Sequence, residues 1–120
     1  MESIENLEST DITRGRTRAV EIVAVPERLH AGNVKEALRA VRASDGSVVV
    51  LDLRAVVAID STALGEVVRI HRRLLPTGGA VVLAGPSGGI RRVLAITRLD
   101  GLLSIVADIE SATALADGAP

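Results

Sequence analysis

The stretch SVVVLDL, residues 47–53, limits the possible folds more than any other feature of this sequence. It is a continuous apolar run bounded by turn signals, and Asp45 and Gly46 precede it directly. A run of this kind is typical of a strand that is buried on both faces, as strands are in parallel sheets. The run therefore favours a parallel sheet at the centre of the fold.

The rest of the chain alternates strand and helix patterns. Further strands are predicted at residues 19–25, at 80–84 and near 103–106, and helices at 34–44, at about 61–75, at 90–97 and near 109–116. This alternation implies parallel pairing through right-handed crossovers, whereas we expect the first strand to pair antiparallel at an edge. The predicted fold class is α/β, with a small mixed β-sheet of four to five strands and helices in βαβα alternation.

The helix predictions depend on the spacing of apolar residues. In the second helix, positions 64, 67, 68, 71, 74 and 75 share one face at 100° per residue, while Glu66, Arg69 and Arg73 lie opposite. Outside these elements, we expect residues 1–16 to form a flexible leader and residues 117–120 to fray. The single domain is therefore placed at residues 17–116.

Composition excludes several functions. A net charge of −1 gives no electrostatic reason to expect nucleic acid or an acidic membrane as a partner, and the absence of aromatic residues removes stacking platforms for bases. Because the chain has no cysteine, disulfides and thiolate metal sites are excluded. No apolar run reaches the roughly 18 residues of a membrane span, so we predict no span and a cytoplasmic location. No cofactor is predicted.

The junction at residues 58–67, AIDSTALGEV, carries the most informative polar residues. Asp60, Ser61 and Thr62 stand where a buried strand gives way to a helix. One explanation is a helix cap, because a Ser or Asp side chain there can accept a hydrogen bond from a free backbone N–H. The other is a switch, because a phosphate attached at a helix N-terminus meets partial positive charge and free N–H donors. Residue types alone leave both explanations open.

The segment LDLRAVVAIDSTALGEVVRIHRRL resembles the signature of the STAS domain family, which includes anti-sigma-factor antagonists and cytoplasmic domains of sulfate transporters. The family pattern Asp-Ser-Ser-Gly-Leu-Gly aligns without a gap on residues 60–65, where Thr62 replaces the second Ser and Ala63 the first Gly. Downstream, residues 77–106 resemble the family's next strand, helix and hydrophobic end. The resemblance covers about residues 17–116.

The resemblance implies a non-enzymatic, protein-binding domain with no metal and no catalytic residue. In the antagonists, a partner that is both anti-sigma factor and serine kinase phosphorylates the Ser after the Asp, and a phosphatase resets the cycle. Ser61 would be the phosphoacceptor, with Thr62 as a second candidate. Asp60 would orient the site, and the helix residues Thr62, Leu64, Gly65 and Glu66 would supply partner contacts. The alternative is a STAS subunit of a stress-sensing complex or of an ABC-type lipid transporter.

One departure from the family pattern concerns the loop after the first strand. Many antagonists carry Gly-Glu-Leu-Asp there, and the acid helps to engage the kinase. Here the nearest match is PERLH, residues 26–30, which has one extra residue, with Pro26 in place of the glycine and His30 in place of the aspartate. We therefore expect any partner contacts of this loop to differ from the family's.

The remaining candidate sites have simpler explanations. His71 is predicted to be a buried histidine with a hydrogen-bonded ring, because it lies on the apolar face of the second helix. No metal site is predicted, because the other histidine, His30, lies in a distant turn. The stretch GPSGG, residues 85–89, lacks the Gly-Lys-Ser/Thr ending of a phosphate loop, and Ser87 is predicted to cap the next helix. Ser61 lacks the Gly-x-Ser-x-Gly context of a hydrolase nucleophile, so no enzymatic activity is predicted.

Overall fold

A computed structural model describes residues 19–39, 41 and 45–116. The predicted leader, residues 1–16, and the predicted frayed end, residues 117–120, lie outside the described residues. The strands are β1 (Val20–Ala24), β2 (Arg28–Leu29), β3 (Val48–Asp52), β4 (Ala58–Ile59), β5 (Ala80–Ala84) and β6 (Ser104–Val106). The helices are α1 (Val34–Ala37), α2 (Ser61–Leu74), α3 (Gly88–Ile96) and α4 (Ile109–Ala116), with short 3₁₀ turns at Leu75–Thr77 and Leu99–Gly101.

Four strands form the main sheet in the order β1-β3-β5-β6, and every ladder among the described residues is parallel. The predicted α/β class is confirmed. The expectation that the first strand pairs antiparallel is wrong, because β1 pairs parallel with β3 in a register that places Val20 opposite Val48. The connection through α1 returns the chain to the end where β1 began, so β3 runs in the same direction.

The apolar run at the centre of the sequence is buried on both sides of the sheet. In β3, Val49 and Leu51 pack into the core cluster that contains residues of α1, α2 and α3. Val48 and Val50 pack on the opposite face against Ala112 and other residues near α4. The period-2 alternation of a strand explains this division, since successive side chains point to opposite faces.

One helix is much shorter than predicted, and α2 ends one residue before its predicted end. The helix predicted over residues 34–44 ends at Ala37, where the N–H of Arg39 bonds to the carbonyl of Glu36 in a tighter turn. Residues 40 and 42–44 of that prediction lie outside the described residues. At the C-terminal end of α2, Leu75 is 47% exposed because the helix gives way to a 3₁₀ turn at this residue. Leu75 therefore does not share the buried face predicted for it.

A second, two-stranded parallel sheet is absent from the sequence prediction. β2 pairs with β4, with Arg28 opposite Ala58 and Leu29 opposite Ile59. This pairing brings the turn after β2 beside the beginning of α2, and so it positions the predicted site. Within the described part of the chain, no helix combines the length and the apolarity required to cross a bilayer.

Candidate functional site

Helix α2 begins at Ser61, and the residue that caps it is Asp60. Asp60 has an extended backbone (φ −97°, ψ 174°), and its Oδ1 accepts a hydrogen bond from the N–H of Ala63 at 2.9 Å. This is the side-chain cap expected of Asp at a helix N-terminus. The cap explanation is therefore confirmed for the junction, but the capping group belongs to Asp60 and not to Ser61.

The second carboxylate oxygen of Asp60 binds a different part of the chain. Oδ2 accepts the N–H of Ala31 at 3.0 Å, and the N–H of Asp60 donates to the carbonyl of Leu29 at 3.1 Å. The turn that contains Ala31 is itself braced by Asn33, whose Oδ1 accepts the N–H of His30 at 2.9 Å. Asp60 thus joins the turn after β2 to the beginning of α2.

These hydrogen bonds lower the pKa of Asp60 below its ordinary value. The N–H of Ala63 is the largest cause, and the N–H groups of Ala31 and Thr62 and the nearby His30 act in the same direction, against a partial opposing effect of burial. Donors that face the carboxylate favour its charged form. Asp60 is therefore ionised at neutral pH, and the position next to Ser61 carries a fixed negative charge.

Ser61 and Thr62 are both exposed, and neither hydroxyl makes a hydrogen bond to another described residue. Ser61 is therefore not required for the local structure in the way that Asp60 is. The N–H groups of Thr62 and Ala63 already face the Asp60 carboxylate. A phosphate on Ser61 would add about −1.5 to −2 charges beside an ionised acid, with those two donors engaged elsewhere.

A shallow groove of about 290 Å³ starts at Ser61 and runs between α2 and the turn after α3. This Ser61 groove is lined by Ser61, Leu64, Gly65, Val68, Thr97 and Leu99. Leu64 is only 5% exposed, so most of its side chain belongs to the core and only an edge reaches the groove. Sequence reasoning missed Thr97 and Leu99, since nothing in the spacing of α2 shows which later segment packs beside it.

Gly65 has no structural requirement that explains a glycine in the middle of a helix. It is exposed, and a Cβ built on it would meet no atom within 4 Å. Glycine inside a helix costs stability relative to alanine. Its effect here is to leave the α2 side of the Ser61 groove open.

Glu66 faces away from the Ser61 groove. Its carboxylate forms an ion pair with Arg69, and it lines a second groove between α1 and α2. The hydrogen bond from Arg69 is the main reason that the pKa of Glu66 is lowered, and the charge of Lys35 contributes to the same shift. The predicted partner residues are therefore divided between two surfaces of α2: Ser61, Leu64 and Gly65 lie on one, and Glu66 on the other.

His71 is buried, as predicted, with only 4% of its surface exposed. Its Nδ1 accepts the N–H of Val81 at 3.0 Å, just before the point at which β6 begins to pair with β5 at Val82. A backbone hydrogen bond with Leu102 also reaches the ring, and burial lowers the pKa of His71. The imidazole therefore acts as a neutral, hydrogen-bonded link between α2, β5 and the segment before β6.

The other candidate sites have structural roles. Ser87 caps α3, because its Oγ accepts the N–H of Ile90 at 3.3 Å. This result confirms the predicted cap in the GPSGG stretch. Among residues 19–39, 41 and 45–116, no group of three or more His, Cys, Asp or Glu side chains converges to hold a metal ion.

Comparison with known proteins identifies the family. The profile of the STAS domain matches residues 17–112. The chain belongs to the STAS domain family. A protein of Thermotoga neapolitana assigned as an anti-sigma factor antagonist is 38% identical over 64 residues, and one of Thermotoga maritima with the same assignment is 37% identical over 62. These matches cover 53% and 52% of this chain and only 57% and 55% of the two relatives.

Solved STAS-type structures share the fold. The crystal structure of the Thermotoga maritima protein assigned as an anti-sigma factor antagonist matches with a TM-score of 0.64 and 26% identity, over 79% of this chain and 86% of that one. An anti-sigma-factor antagonist (STAS) domain protein from Planctomyces limnophilus matches with a TM-score of 0.71 and 23% identity, over 82% and 90%. A sulfate transporter family protein from Wolinella succinogenes gives 0.66 and 22%, over 81% and 84%. The last two likenesses concern the fold alone.

Proposed function

We propose that this chain is an anti-sigma-factor antagonist that binds an anti-sigma factor and is switched by phosphorylation of Ser61. The observation that carries the proposal is the Ser61 hydroxyl, which is exposed and without a hydrogen bond to any described residue because Asp60 caps α2 in its place. Membership of the STAS family and the assigned role of the two Thermotoga relatives support the same function. No catalytic residue takes part.

The Ser61 groove is the proposed docking surface. Its lining is mainly apolar, and the glycine at position 65 lets a partner approach the α2 backbone closely. Thr62 lies exposed next to Ser61 and adds a polar contact at the rim. Asp60 acts indirectly, since both of its oxygens are used to fix the backbone around Ser61. Glu66 contacts only a partner that extends around α2 to the second groove.

Phosphorylation turns the interaction off by charge and bulk. The phosphate stands next to the ionised Asp60 and at the mouth of an apolar groove, so a partner fitted to the neutral surface meets like charge and a larger group. The kinase is the anti-sigma factor itself, and a phosphatase restores the binding form. The reaction takes place in the cytoplasm, where sigma factors act.

The direct test is phosphorylation with ATP and a histidine-kinase-like anti-sigma factor encoded near the gene of this protein, followed by intact-mass measurement. We expect one added phosphate on the wild type and on Thr62→Ala, and none on Ser61→Ala. A phosphate gain that persists undiminished in Ser61→Ala would rule out the assignment of Ser61.

Binding to the same partner tests the switch. We expect Ser61→Asp to weaken binding strongly. The variant Ser61→Asn introduces a neutral side chain of nearly the same size as aspartate, and it should bind much more like the wild type. Equal affinity of Ser61→Asp and the wild type would contradict a switch by charge. Co-purification with a transporter permease in place of any anti-sigma factor would instead favour the alternative role as a transporter subunit.

A further inference from the structure

The second groove, between α1 and α2, is unlike the Ser61 groove in its charge. It has a volume of about 590 Å³ and is lined by the apolar residues Leu38, Val41 and Ile70 together with Lys35, Arg39, Glu66, Arg69 and Arg73. This α1–α2 groove thus combines an apolar lining with four cationic side chains and a single acid.

Most of this positive charge is not neutralised within the described structure. Glu66 pairs with Arg69, but Lys35, Arg39 and Arg73 form no ion pair with any residue in the described ranges. Three cations that form no ion pair with a described residue, around one apolar cleft, give a surface complementary to an acidic segment that also carries apolar side chains.

The chain itself contains a segment with that chemistry. Residues 2–11, ESIENLESTD, hold four acids (Glu2, Glu5, Glu8 and Asp11) and no lysine or arginine. Ile4 and Leu7 stand between the acids. The segment therefore carries a negative charge where the groove is positive, and apolar side chains where the groove has an apolar lining.

The connection to the segment begins at the end of the molecule where α2 ends. The carbonyl of Ala19 accepts the N–H of Val48 at 2.9 Å, and the N–H of nearby Gly46 donates to Thr77 Oγ1 at 2.8 Å, just beyond the end of α2. The seven connecting residues, 12–18, span at most about 25 Å. The seven residue steps of α2 from Glu66 to Arg73 rise only about 10 Å, so the connection is long enough.

We propose that residues 2–11 dock in the α1–α2 groove of the same molecule, with their acids facing Arg39, Arg73 and Lys35. Because the segment is tethered, its effective concentration at the groove is of the order of millimolar. Contacts too weak to hold a free peptide are therefore sufficient. Docking covers the α1 side of α2 and leaves Ser61 and its groove open, so the proposal does not depend on the function of Ser61.

Paramagnetic relaxation in the full chain tests the proposal. The chain lacks cysteine, so Ser3→Cys gives a single position for a nitroxide label. We expect amide signals of Leu38, Val41 and Ile70 to broaden more than those of α3 and α4, and most of this effect to vanish in high salt, which screens exposed charges.

Charge variants provide the matched control. Arg39→Glu with Arg73→Glu should abolish the selective broadening, while Arg91→Glu with Arg92→Glu on α3 makes the same change in net charge and should leave it intact. Changing Glu2, Glu5 and Glu8 to Lys in the Arg39→Glu, Arg73→Glu chain should restore it. All four arginines are exposed, and unchanged spectra of the core amides confirm that each variant folds.

Three results would overturn the proposal. Uniform broadening, or broadening unaffected by Arg39→Glu with Arg73→Glu, would mean that the groove is only a solvated surface. Broadening of an isotope-labelled chain by a separate nitroxide-labelled chain, at the strength seen within one molecule, would mean that a second copy occupies the groove.

Discussion

Helices α2 and α3 both begin with a side-chain cap, but the serine has a different place at each. At α3, Ser87 is the cap, and its hydroxyl accepts the N–H of Ile90. At α2, Asp60 is the cap, and Ser61 follows it as the first helical residue. The hydroxyl is used for folding in one case and left unused in the other. A serine is thus available for modification at a helix start when the preceding residue has taken over the capping.

The two caps also differ in reach. Ser87 has one oxygen and satisfies one donor three residues away. Asp60 has two oxygens and bonds both to Ala63, three residues away, and to Ala31, 29 residues away. The cap of α2 is therefore also a tertiary contact, and substitutions of Asp60 should separate the two roles.

The largest effect on stability is expected from Asp60→Ala, which removes both acceptor oxygens. Asp60→Asn keeps one acceptor oxygen and so retains the cap but loses the bond to Ala31. We expect the free energy of unfolding in urea to fall most in Asp60→Ala and less in Asp60→Asn. Equal losses in the two variants would mean that the cap to Ala63 contributes nothing, and an Asp60→Asn variant as stable as the wild type would mean that the bond to Ala31 contributes nothing.

Acid should reproduce part of this loss. Because the pKa of Asp60 is lowered in the folded state from its ordinary 3.8, its contribution is present above pH 3.8 and is lost as the pH falls through the lower folded value. The pKa values of Asp52 and Asp108 are also lowered, so acid destabilises every variant. The stability advantage of the wild type over Asp60→Asn should shrink below pH 3.8. An advantage that does not change with pH would contradict a lowered pKa of Asp60 in the folded state.

Ser87→Ala should cost about 1 kcal/mol of unfolding free energy, the usual loss for a helix cap. This variant tests the comparison at α3, because it removes the hydroxyl that accepts the N–H of Ile90. Urea unfolding gives the value, and Ser104→Ala, which changes an exposed serine in β6 whose hydroxyl bonds to no described residue, serves as a control. A loss no greater than that of the control would show that the 3.3 Å bond does not hold the helix start.

Gly65→Ala should raise the free energy of unfolding by roughly 0.5–1 kcal/mol, because alanine is the better helix former and its methyl meets no atom within 4 Å. The same methyl narrows the Ser61 groove, so binding of the partner should weaken while stability rises. Gly79→Ala is the contrasting control: a Cβ there would stand 2.2 Å from the carbonyl oxygen of Ser47, and the variant should be destabilised.

The smallest effect is expected from Ser61→Ala, whose unfolding free energy should stay within about 0.5 kcal/mol of the wild type. The hydroxyl is exposed and bonds to no described residue, so its removal leaves α2 capped by Asp60. A loss as large as that of Ser87→Ala would mean that Ser61 shares the capping and would remove the contrast between the two helices.

The sequence predicts the main elements because their patterns are long enough to be read. The apolar run of β3 and the helical period of α2 are both confirmed, since burial on two faces and on one face leave different patterns. β2 and β4 have two residues each, too few for any periodicity, and so they were missed. The direction of β1 was also misjudged, because a short β-branched run fits either orientation.

The site was predictable in its local part only. The motif at residues 60–65 located the helix start and the exposed hydroxyl of Ser61. The bond from Ala31 to Asp60 depends on the pairing of β2 with β4, and the separation of Glu66 from Gly65 depends on where α1 packs. Such contacts join segments that are far apart in the sequence, and the local pattern of either segment does not indicate which other segment it will contact.

The two hydrogen bonds that the Asp60 carboxylate accepts also set an order for folding. Its cap to Ala63 is local and closes within one helical turn, so it forms as soon as α2 does. Its bond to Ala31 closes a loop of 29 residues that contains α1 and β3, and loop closure of that length is opposed by chain entropy. Helix α2 can therefore nucleate early, while the surface around Ser61 takes its final shape only after β2 and β4 have paired.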